Sequence, residues 1–305
     1  MSSIVVIGSL NMDLVIQSPR MPSSGETIAG GDFQMIPGGK GANQAAAAAR
    51  LGGSVTMVGR VGDDAFGPNL TENLARQGVD TSKVRVDSET STGVAIIIVD
   101  DTGENSIVIS AGANGQVSQE DVNAAKDLIN GAEYLLLQHE IPFETVQHAI
   151  DVASLSGTRV ILNPAPVRPI PADTLAKIDI LVPNEIEARF LSDVQVDDLA
   201  SAQEAGERIL QQGPTTVVIT LGAKGALAVT KEDAVHVPAR EVEAVDTTAA
   251  GDAFIGGLAV ALSEGHSLDE AVRYASGAGT LAVTKFGAQT SLPTAEEVDA
   301  FLKPA

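Results

Sequence analysis

The second half of the chain alternates helix-like and strand-like segments, and this rhythm limits the fold more than any other feature of the sequence. From residue 118 onward, amphipathic stretches of helical length are separated by short apolar runs that suit buried strands. In order, these segments read SQEDVNAAKDLI, YLLLQ, PFETVQHAIDVASLSG, RVILNPAP, IDILVPN, DLASAQEAGERILQQG and TTVVITLG. Such alternation is typical of βαβ units, in which helices cover both faces of a parallel sheet. The sequence therefore predicts an α/β fold.

Two stretches, near 13–36 and 92–111, break this rhythm because they are rich in short strand-like pieces. These pieces read DLVIQ, TIAGGDF and two β-branched runs joined by the hairpin signal DDTGEN. Elsewhere the chain returns to helices and strands, and helices that start near 250 and 267 finish it. No long linker or internal repeat is visible. We therefore expect one domain over 1–305, with 13–36 and 92–111 forming a small β-sheet that covers a site as a lid.

Charge and composition exclude several classes of function. The chain carries 19 basic and 40 acidic side chains, a formal net charge of −21, whereas a surface for nucleic acid or an anionic membrane would carry the opposite sign. It contains no cysteine, which rules out disulfides, zinc thiolate sites and cysteine nucleophiles. No apolar run approaches about 18 residues, and the N-terminus lacks the basic start of a signal peptide. We expect a cytoplasmic protein with no nucleic-acid or membrane partner.

Polar residues follow the predicted strands at the point where each strand ends. They are Asn11 and Asp13, QHE (138–140), NPAP (163–166), PNEIE (183–187) and TLGAKG (220–225). Any one of them would suit an ordinary turn. In open α/β sheets, however, ligands bind beyond the carboxyl ends of the strands. Together these residues predict one binding site along that edge.

The segment DTTAAGDAF (246–254) predicts a phosphate site. The apolar spacing after Asp252 is helical, so AAG (249–251) lies at a helix N-terminus, where free N–H groups attract an anion. Asp252 itself has two interpretations: a first-turn residue that stabilises the helix, or a catalytic base that accepts a proton from an attacking hydroxyl. The chain has neither a GxxxxGK[ST] nor a GxGxxG motif. A bound nucleotide would therefore place its phosphates at 249–251.

Over nearly its whole length the chain resembles the PfkB, or ribokinase-like, carbohydrate kinases. GGKGANQAAAAARLGG is similar to the N-terminal signature of that family, and DTTAAGDAFIGGLA is similar to the C-terminal one. Other similar segments, in the family's order, are STGVA, SAGAN, LLLQHEIP, NPAP, PNEIEA, TLGAKG and KFGAQTSLP. GGKGANQA and Glu140 of QHE indicate the members that phosphorylate ribose. The resemblance implies a three-layer α/β/α fold with a mainly parallel central sheet and a small β-sheet lid.

The resemblance also implies an activity, the transfer of the γ-phosphoryl group of ATP to the 5-hydroxyl of D-ribose. Asp252 would be the general base, and the N–H groups of Ala249, Ala250 and Gly251 would form an anion hole. The residues implied for the sugar are Asn11, Asp13, Gly39, Lys40, Gly41, Asn43, Glu140 and Asp252. Those implied for the nucleotide are Asn184, Thr220, Gly222, Lys224, Gly225, Gly251 and Ser276.

Two metal ions and a dimer are implied as well. Glu187 would hold Mg²⁺ through water. An activating K⁺ beside the anion hole would be bound, largely through backbone carbonyls, by Asp246, Thr248, Ala282, Lys285, Gly287 and Ser291. Relatives of this kind pair through their lids, and the β-branched run GVAIIIV is too apolar to stay exposed. A homodimer that pairs lid to lid is therefore expected.

Alternative functions stay open at this point. The substrate could be another sugar (deoxyribose, fructose or a ketogluconate) or a nucleoside such as adenosine. An anionic substrate would favour several basic residues in the lid, but Arg20 is the only one there. A nucleoside would favour aromatic side chains that stack on its base, but Phe33 is the only one in the lid. A catalytically idle sugar-binding regulator would need a broken site, whereas Asp252 and the AAG segment are intact.

Four single residues also keep a second interpretation. Lys224 suits a solvated loop as well as a phosphate contact, and Asp246 suits a turn that its own side chain stabilises. His139 suits a structural position at the end of a strand. Ser276 stands where relatives place a larger polar residue near adenine.

Overall fold

The computed structural model describes residues 3–102 and 105–303. Within them the strands are β1 Ser3–Ile7, β2 Asn11–Ser18, β3 Phe33–Gly38, β4 Ser54–Gly62, β5 Asp80–Asp87, β6 Gly93–Asp100, β7 Asn105–Ser110, β8 Tyr134–Leu137, β9 Arg159–Leu162, β10 Ile180–Leu181, β11 Thr216–Thr220, β12 Ala226–Val229 and β13 Ala234–Val237. The helices are α1 Lys40–Arg50, α2 Phe66–Arg76, α3 Gln119–Ala124, α4 Lys126–Gly131, α5 Phe143–Ser156, α6 Ala172–Leu175, α7 Glu185–Ser192, α8 Leu199–Leu210, α9 Ala250–Ser263, α10 Leu268–Ala282, α11 Ala288–Ser291 and α12 Ala295–Leu302.

Nine strands form one sheet in the order β13-β12-β11-β10-β9-β8-β1-β4-β5. The strands from β11 to β5 pair in parallel, and β12 and β13 add an antiparallel edge. Neighbouring residues of a strand point to opposite faces, so Val6 packs in one apolar core and Val5 in a second. Helices α1, α9 and α10 cover the first face, and α5 and α8 cover the second. This three-layer α/β/α arrangement confirms the predicted fold class.

The other four strands form a separate sheet, the lid, in the order β3-β2-β6-β7. Strand β2 runs antiparallel to β3 and parallel to β6, and β6 runs antiparallel to β7. The register sets Asp13 opposite Ala95 on one face, and Leu14 opposite Ile96 on the other. On that second face Ile96 in turn opposes Val108, which is 68% exposed. The lid therefore has one face that carries polar residues and a second, apolar face.

The first hairpin of the lid differs from its prediction, because TIAGGDF (27–33) is not a strand and β3 begins only at its last residue, Phe33. Gly31 donates to the carbonyl of Gln17 (2.8 Å), and Gln17 donates to that of Asp32 (3.1 Å). The two glycines, Gly30 and Gly31, have no side chains to pack and favour this irregular pairing. The predicted turn DDTGEN includes positions 103 and 104, which lie outside the described residues.

Two helix predictions are also corrected. SQEDVNAAKDLI forms two helices, α3 and α4, because the backbone leaves the helical region at Ala125 (φ −104°, ψ 5°). The helices that begin at 250 and 268 do not finish the chain, since α11 and α12 follow them. The start of α12 is a capping box between Thr294 and Glu297, a signal that the sequence TAEE already carried. Edge strand β5 had no prediction.

Among the described residues, no helix has both the length and the apolar character that crossing a membrane requires.

Candidate active site

A cavity of about 990 Å³ lies between the carboxyl edge of the large sheet and the lid. Of the residues predicted for the sugar, it is lined by Asn11, Asp13, Gly39, Lys40, Asn43, Glu140 and Asp252. Of those predicted for the nucleotide, its phosphates and Mg²⁺, it is lined by Asn184, Glu187, Thr220, Gly222, Gly225, Ser276 and 249–251. Residues that are far apart in the chain thus share one cavity. Gly41, Lys224 and all the predicted K⁺ residues except Thr248 lie outside its lining.

Asp252 lies in the first turn of α9 and is 6% exposed. The N-cap of this helix is Ala249, not Asp252. The carboxylate is held by two amides of α1 instead: Asn43 Nδ2 donates to Oδ2 and Gln44 Nε2 donates to Oδ1, both at 3.0 Å. A carboxylate at this position that capped its own helix would accept a hydrogen bond from the backbone N–H of the N-cap, as in a capping box. The geometry therefore favours a carboxylate oriented for work at the cavity.

The start of α9 presents backbone N–H groups to the cavity. Ala249 has a left-handed backbone (φ 61°, ψ 7°), which is costly for a residue with a side chain and is typical of functional sites. No acceptor within the described part of the chain takes a hydrogen bond from the N–H of Ala249 or Gly251, whereas Ala250 N–H donates a long bond to the carbonyl of Thr247 (3.3 Å). Two of the three predicted anion-hole donors are therefore free, and the third has a weak partner.

Glu140 and Lys40 meet on the sugar side of the cavity. One oxygen of Glu140 accepts from the Ser9 hydroxyl (2.5 Å) and from the backbone N–H of Lys40 (3.0 Å), which fixes the carboxylate at the start of α1. Burial opposes the charge of Lys40, but the carboxylates of Asp252, Glu140 and Glu187 outweigh it and raise the pKa of Lys40. Lys40 therefore stays charged among three acidic groups.

The glycines of GGKG allow α1 to dock against the end of β1. Gly39 has φ 90°, and a Cβ added there would lie 2.8 Å from the backbone nitrogen of Asn11. A Cβ on Gly41 would lie 2.6 Å from the backbone nitrogen of Ser9. Gly41, which was predicted to hold the sugar, thus packs against backbone rather than along the cavity. Its role here is close approach.

Asp13 reaches the cavity from the lid. Burial, followed by the negative charges of Glu140 and Asp252, raises the pKa of Asp13 to about 7. The carboxyl group packs directly against Gly38, where an added Cβ would lie 2.3 Å from an Asp13 oxygen. A sugar hydroxyl that donates to this carboxylate would relieve the cost of its burial.

Asn11, the second lid residue, is oriented by a residue without a predicted role, Asn114. The Asn114 side chain accepts from Leu10 N–H (2.9 Å) and donates to the Leu10 carbonyl (3.0 Å) and to Asn11 Oδ1 (2.7 Å). Because the oxygen of Asn11 already accepts this bond, its NH₂ group is left to donate to a ligand. The motif SAGAN contains Asn114, but nothing in that short stretch shows a contact 104 residues away.

The nucleotide side is built around Asn184 and Thr220. They form a parallel bridge that extends the pairing of β10 and β11. Asn184 also caps α7: its side chain accepts from Glu187 N–H (2.8 Å), and its own N–H donates to the Glu187 carboxylate (2.9 Å). Burial raises the pKa of Glu187 and the charge of Asp252 adds to it, although the Asn184 hydrogen bond and Lys40 act in the opposite direction.

Two residues predicted for the nucleotide differ sharply. Lys224 is half exposed, and its Nζ donates to the carbonyl of Asp197 (2.7 Å), so the geometry favours its interpretation as a surface loop residue. Ser276 lines the cavity and is 8% exposed, and its hydroxyl has no hydrogen-bond partner among the described residues. A buried hydroxyl without a partner is costly, so a ligand that bonded to Ser276 would gain from it.

The two segments predicted for K⁺ lie side by side. Val245 and Asp246 donate backbone N–H bonds to the Val283 carbonyl (2.7 and 3.2 Å), and one Asp246 oxygen accepts from Gly287 N–H (2.9 Å). The other oxygen accepts from Thr248 N–H and its hydroxyl (2.9 and 2.6 Å), which is the side-chain turn of the alternative interpretation. The other predicted K⁺ ligands are backbone carbonyls and Ser291, whose hydroxyl donates to the Ala288 carbonyl (2.8 Å). A set of ligands made of oxygens alone fits a hard cation.

His139 and two glutamines complete the surroundings. Burial lowers the pKa of His139 to about 4, and its ring packs edge-on against Phe143 (5.4 Å), which suits the structural interpretation. Gln44 had no predicted role, whereas Gln138 of QHE was expected at the strand-end binding site; both are fully buried beneath Asp252 and lie outside the cavity lining. Gln138 Nε2 donates to Gln44 Oε1 (2.6 Å).

Known proteins share this architecture over the whole chain. The profile of the pfkB family carbohydrate kinases matches residues 1–295. Ribokinase of Haemophilus influenzae is 42% identical over 303 residues, which cover 99% of each chain. Deoxyribokinase of Salmonella typhi is 40% identical over 300 residues, which cover 98% of each.

Among solved structures, a ribokinase of Arabidopsis thaliana complexed with ribose and ATP has a TM-score of 0.93 and 34% identity, and the match covers 100% of both chains. The family profile, the full-length relatives and the shared fold agree with the resemblance inferred from the motifs. The chain belongs to the PfkB family of carbohydrate kinases.

Proposed function

We propose that this chain is an ATP-dependent kinase that phosphorylates the 5-hydroxyl of D-ribose and releases ADP. The observation that carries the proposal is the position of Asp252, whose buried carboxylate lies beside free backbone N–H groups in a cavity lined by sugar-type and nucleotide-type residues. Full-length ribokinase relatives at about 40% identity support the same activity.

Asp252 acts as the general base. It takes the proton of the 5-hydroxyl as that oxygen attacks the γ-phosphorus of ATP. The new O–P bond forms while the bond between the γ-phosphorus and its bridging oxygen breaks, and the electron pair leaves with ADP. Asn43 and Gln44 hold one carboxylate oxygen each, so a lone pair remains for the incoming proton.

The sugar and phosphate are held by groups that match their chemistry. Asn11, Asp13, Glu140 and Lys40 offer both donors and acceptors, as a neutral, hydroxyl-rich sugar requires. The N–H groups of 249–251 stabilise the negative charge that develops on the transferred phosphoryl group. The lid covers the sugar and excludes water, which would otherwise compete as the attacking nucleophile.

Two metal ions fit the residues present. Glu187, a buried carboxylate on the cavity wall, would hold Mg²⁺ through water, and the segments 246–248 and 282–291 would hold K⁺ through oxygens. When bound, these ions neutralise phosphate charge and steady the loop before α9. Ser276 at the wall and the bridge between Asn184 and Thr220 would contact the nucleotide.

The sugar is tested by a coupled ADP-release assay with ribose, deoxyribose, fructose, a ketogluconate and adenosine. We expect ribose to give the highest kcat/KM. Deoxyribose is the second candidate, because a deoxyribokinase is 40% identical over the full chain. A higher kcat/KM for deoxyribose would reassign the substrate. If none of the five compounds led to ADP release, the proposed kinase activity would be refuted.

The lid also supports a homodimer. Its second face exposes Phe33 (57%), Met35 (59%), Ile96 (46%) and Val108 (68%), and two copies of such a face can pack in an isologous contact. Light scattering should give about 62 kDa, twice the chain mass of 31.2 kDa. The substitution Ile96→Asp should yield a monomer with weakened ribose affinity, and a fully active wild-type monomer would contradict this assembly.

A further inference from the structure

Beneath Asp252 lies a row of buried amides that extends away from the cavity. Gln44 Nε2 donates to Asp252 Oδ1 (3.0 Å), and Gln138 Nε2 donates to Gln44 Oε1 (2.6 Å). Both glutamines have no exposed surface and neither lines the cavity. They therefore cannot touch a substrate there. Burying two amides is costly unless each finds partners, so the row needs an explanation.

The direction of this row is set by the backbone. Asn163 Nδ2 donates to the carbonyl of Val182 (3.0 Å), and a carbonyl can only accept. The oxygen of Asn163 therefore faces Gln44, which reaches it with a long bond from Nε2 (3.5 Å). Gln44 thus meets acceptors on one side, Asn163 and Asp252, and a donor on the other, Gln138. All three neighbours demand the same orientation of its amide.

The opposite orientation of Gln44 would be unfavourable at each contact. A turned amide would set its oxygen about 3 Å from the Asp252 carboxylate and its NH₂ group against that of Gln138. Gln138 has little freedom to compensate, because its amide oxygen packs against Gly8, where an added Cβ would lie 2.1 Å from that oxygen. Packing and hydrogen bonds together hold Gln44 in one state.

We infer that Gln44, held by Gln138 and Asn163, is the positioning residue that aims the Asp252 carboxylate at the attacking hydroxyl. Asn43 holds the other oxygen but lines the cavity and is predicted to bind sugar, so its effects would mix binding with catalysis. Gln44 separates the two roles, since it does not line the cavity and its short bond to a cavity residue is the one to Asp252, its bond to Asn163 being longer. The inference rests on the proposed role of Asp252 as the base.

The test is a double-mutant cycle between Gln44→Met and Asp252→Asn. Methionine is close to glutamine in size and removes the amide. In the wild-type background, Gln44→Met should lower kcat about tenfold and leave the ribose Kd, measured by calorimetry, within threefold. In the Asp252→Asn background it should change kcat less than twofold, because the carboxylate it aims is gone. Gln203→Met, on the exposed face of α8, is the matched control and should change neither value.

Three outcomes overturn the inference: a kcat loss below fivefold in the wild-type background, a ribose Kd raised more than threefold, or an equal loss in both backgrounds. If Gln44→Met does not fold, Gln138→Met takes its place, with a required loss of at least threefold. If the wild type releases no ADP with ribose, the proposed substrate fails on its own, and the same cycle is run on whichever sugar is turned over.

Discussion

The sugar end and the nucleotide end of the cavity are built in different ways. At the sugar end, buried side chains already hold one another: Asn43 and Gln44 bond to Asp252, and Ser9 bonds to Glu140. At the nucleotide end, the α9 start offers free backbone N–H groups, and Ser276 has a buried hydroxyl without a partner in the described chain. The sugar end is built mainly from side chains that bond to one another, and the nucleotide end mainly from backbone N–H and hydroxyl groups that can bond to a ligand.

This difference follows from the two substrates. A sugar is recognised by its hydroxyls, which need directed donors and acceptors in fixed places. A nucleotide phosphate is recognised by charge and by backbone N–H groups, which need few side chains. Substitutions at the sugar end should therefore act strongly and individually, whereas single side chains at the nucleotide end should matter less.

The largest effect is expected at Asp252. Asp252→Asn removes the proton acceptor but keeps the shape of the side chain, so kcat should fall by about two to four orders of magnitude. The ribose Kd should change far less, because Asn11, Asp13 and Glu140 remain. Steady-state kinetics and calorimetry separate the two quantities. A variant that kept more than a tenth of the wild-type kcat would contradict the role of Asp252.

A smaller effect is expected from pH, through Asp13. Its pKa of about 7 means that the carboxyl is mostly protonated at pH 6 and mostly ionised at pH 8. If a ribose hydroxyl donates a hydrogen bond to the ionised carboxylate, the Kd for ribose should fall up to about tenfold from pH 6 to pH 8. Asp13→Asn should bind ribose more weakly and without this pH dependence.

The same raised pKa bears on stability. A carboxyl with a raised pKa stabilises the folded state at low pH and loses that contribution as pH rises towards 7. The difference in Tm between wild type and Asp13→Asn should therefore change in favour of the variant from pH 4 to 8. If neither the wild-type Kd for ribose nor the Tm difference changed with pH, Asp13 would lie away from the sugar.

An effect of several-fold is expected from K⁺. In a buffer free of other monovalent metal ions, adding K⁺ should raise kcat, because the ion would fix the loop between Asp246 and α9. Asp246→Ala should abolish the response. Asp246→Asn keeps an oxygen that can accept the Thr248 hydrogen bonds but removes the negative charge, so it distinguishes the turn role of Asp246 from its role as a K⁺ ligand. If Asp246→Asn were active and did not respond to K⁺, Asp246 would be assigned to the turn alone.

The smallest effect is expected at Lys224. Its ammonium group bonds to the Asp197 carbonyl outside the cavity, so Lys224→Ala should change the KM for ATP less than about twofold. Lys231→Ala, in the exposed turn between β12 and β13, is the matched control. A KM for ATP raised more than fivefold by Lys224→Ala alone would show that the loop moves to meet the phosphates.

Where a local motif carries them, the sequence predicted the fold and the residues that line the cavity well. Asp252, Glu140 and Asn184 each stand in a short, recognisable segment beside a strand end or helix start. The sequence predicted poorly where a role depends on a distant partner. Gln44 meets Asp252 across 208 positions and Gln138 across 94, and Lys224 is drawn to Asp197 rather than to the cavity. Such contacts follow from packing of α1 against α9 and of loops against each other, which no local pattern records.

Calorimetric titration of ribose into the protein without any nucleotide tests most directly whether the sugar end is assembled before ATP arrives. The hydrogen bonds at Asp252 and Glu140 predict that ribose binds one site per chain, and that adding a non-hydrolysable ATP analogue changes its Kd only a few-fold. Binding of ribose that appeared only in the presence of the analogue would contradict a prebuilt sugar site.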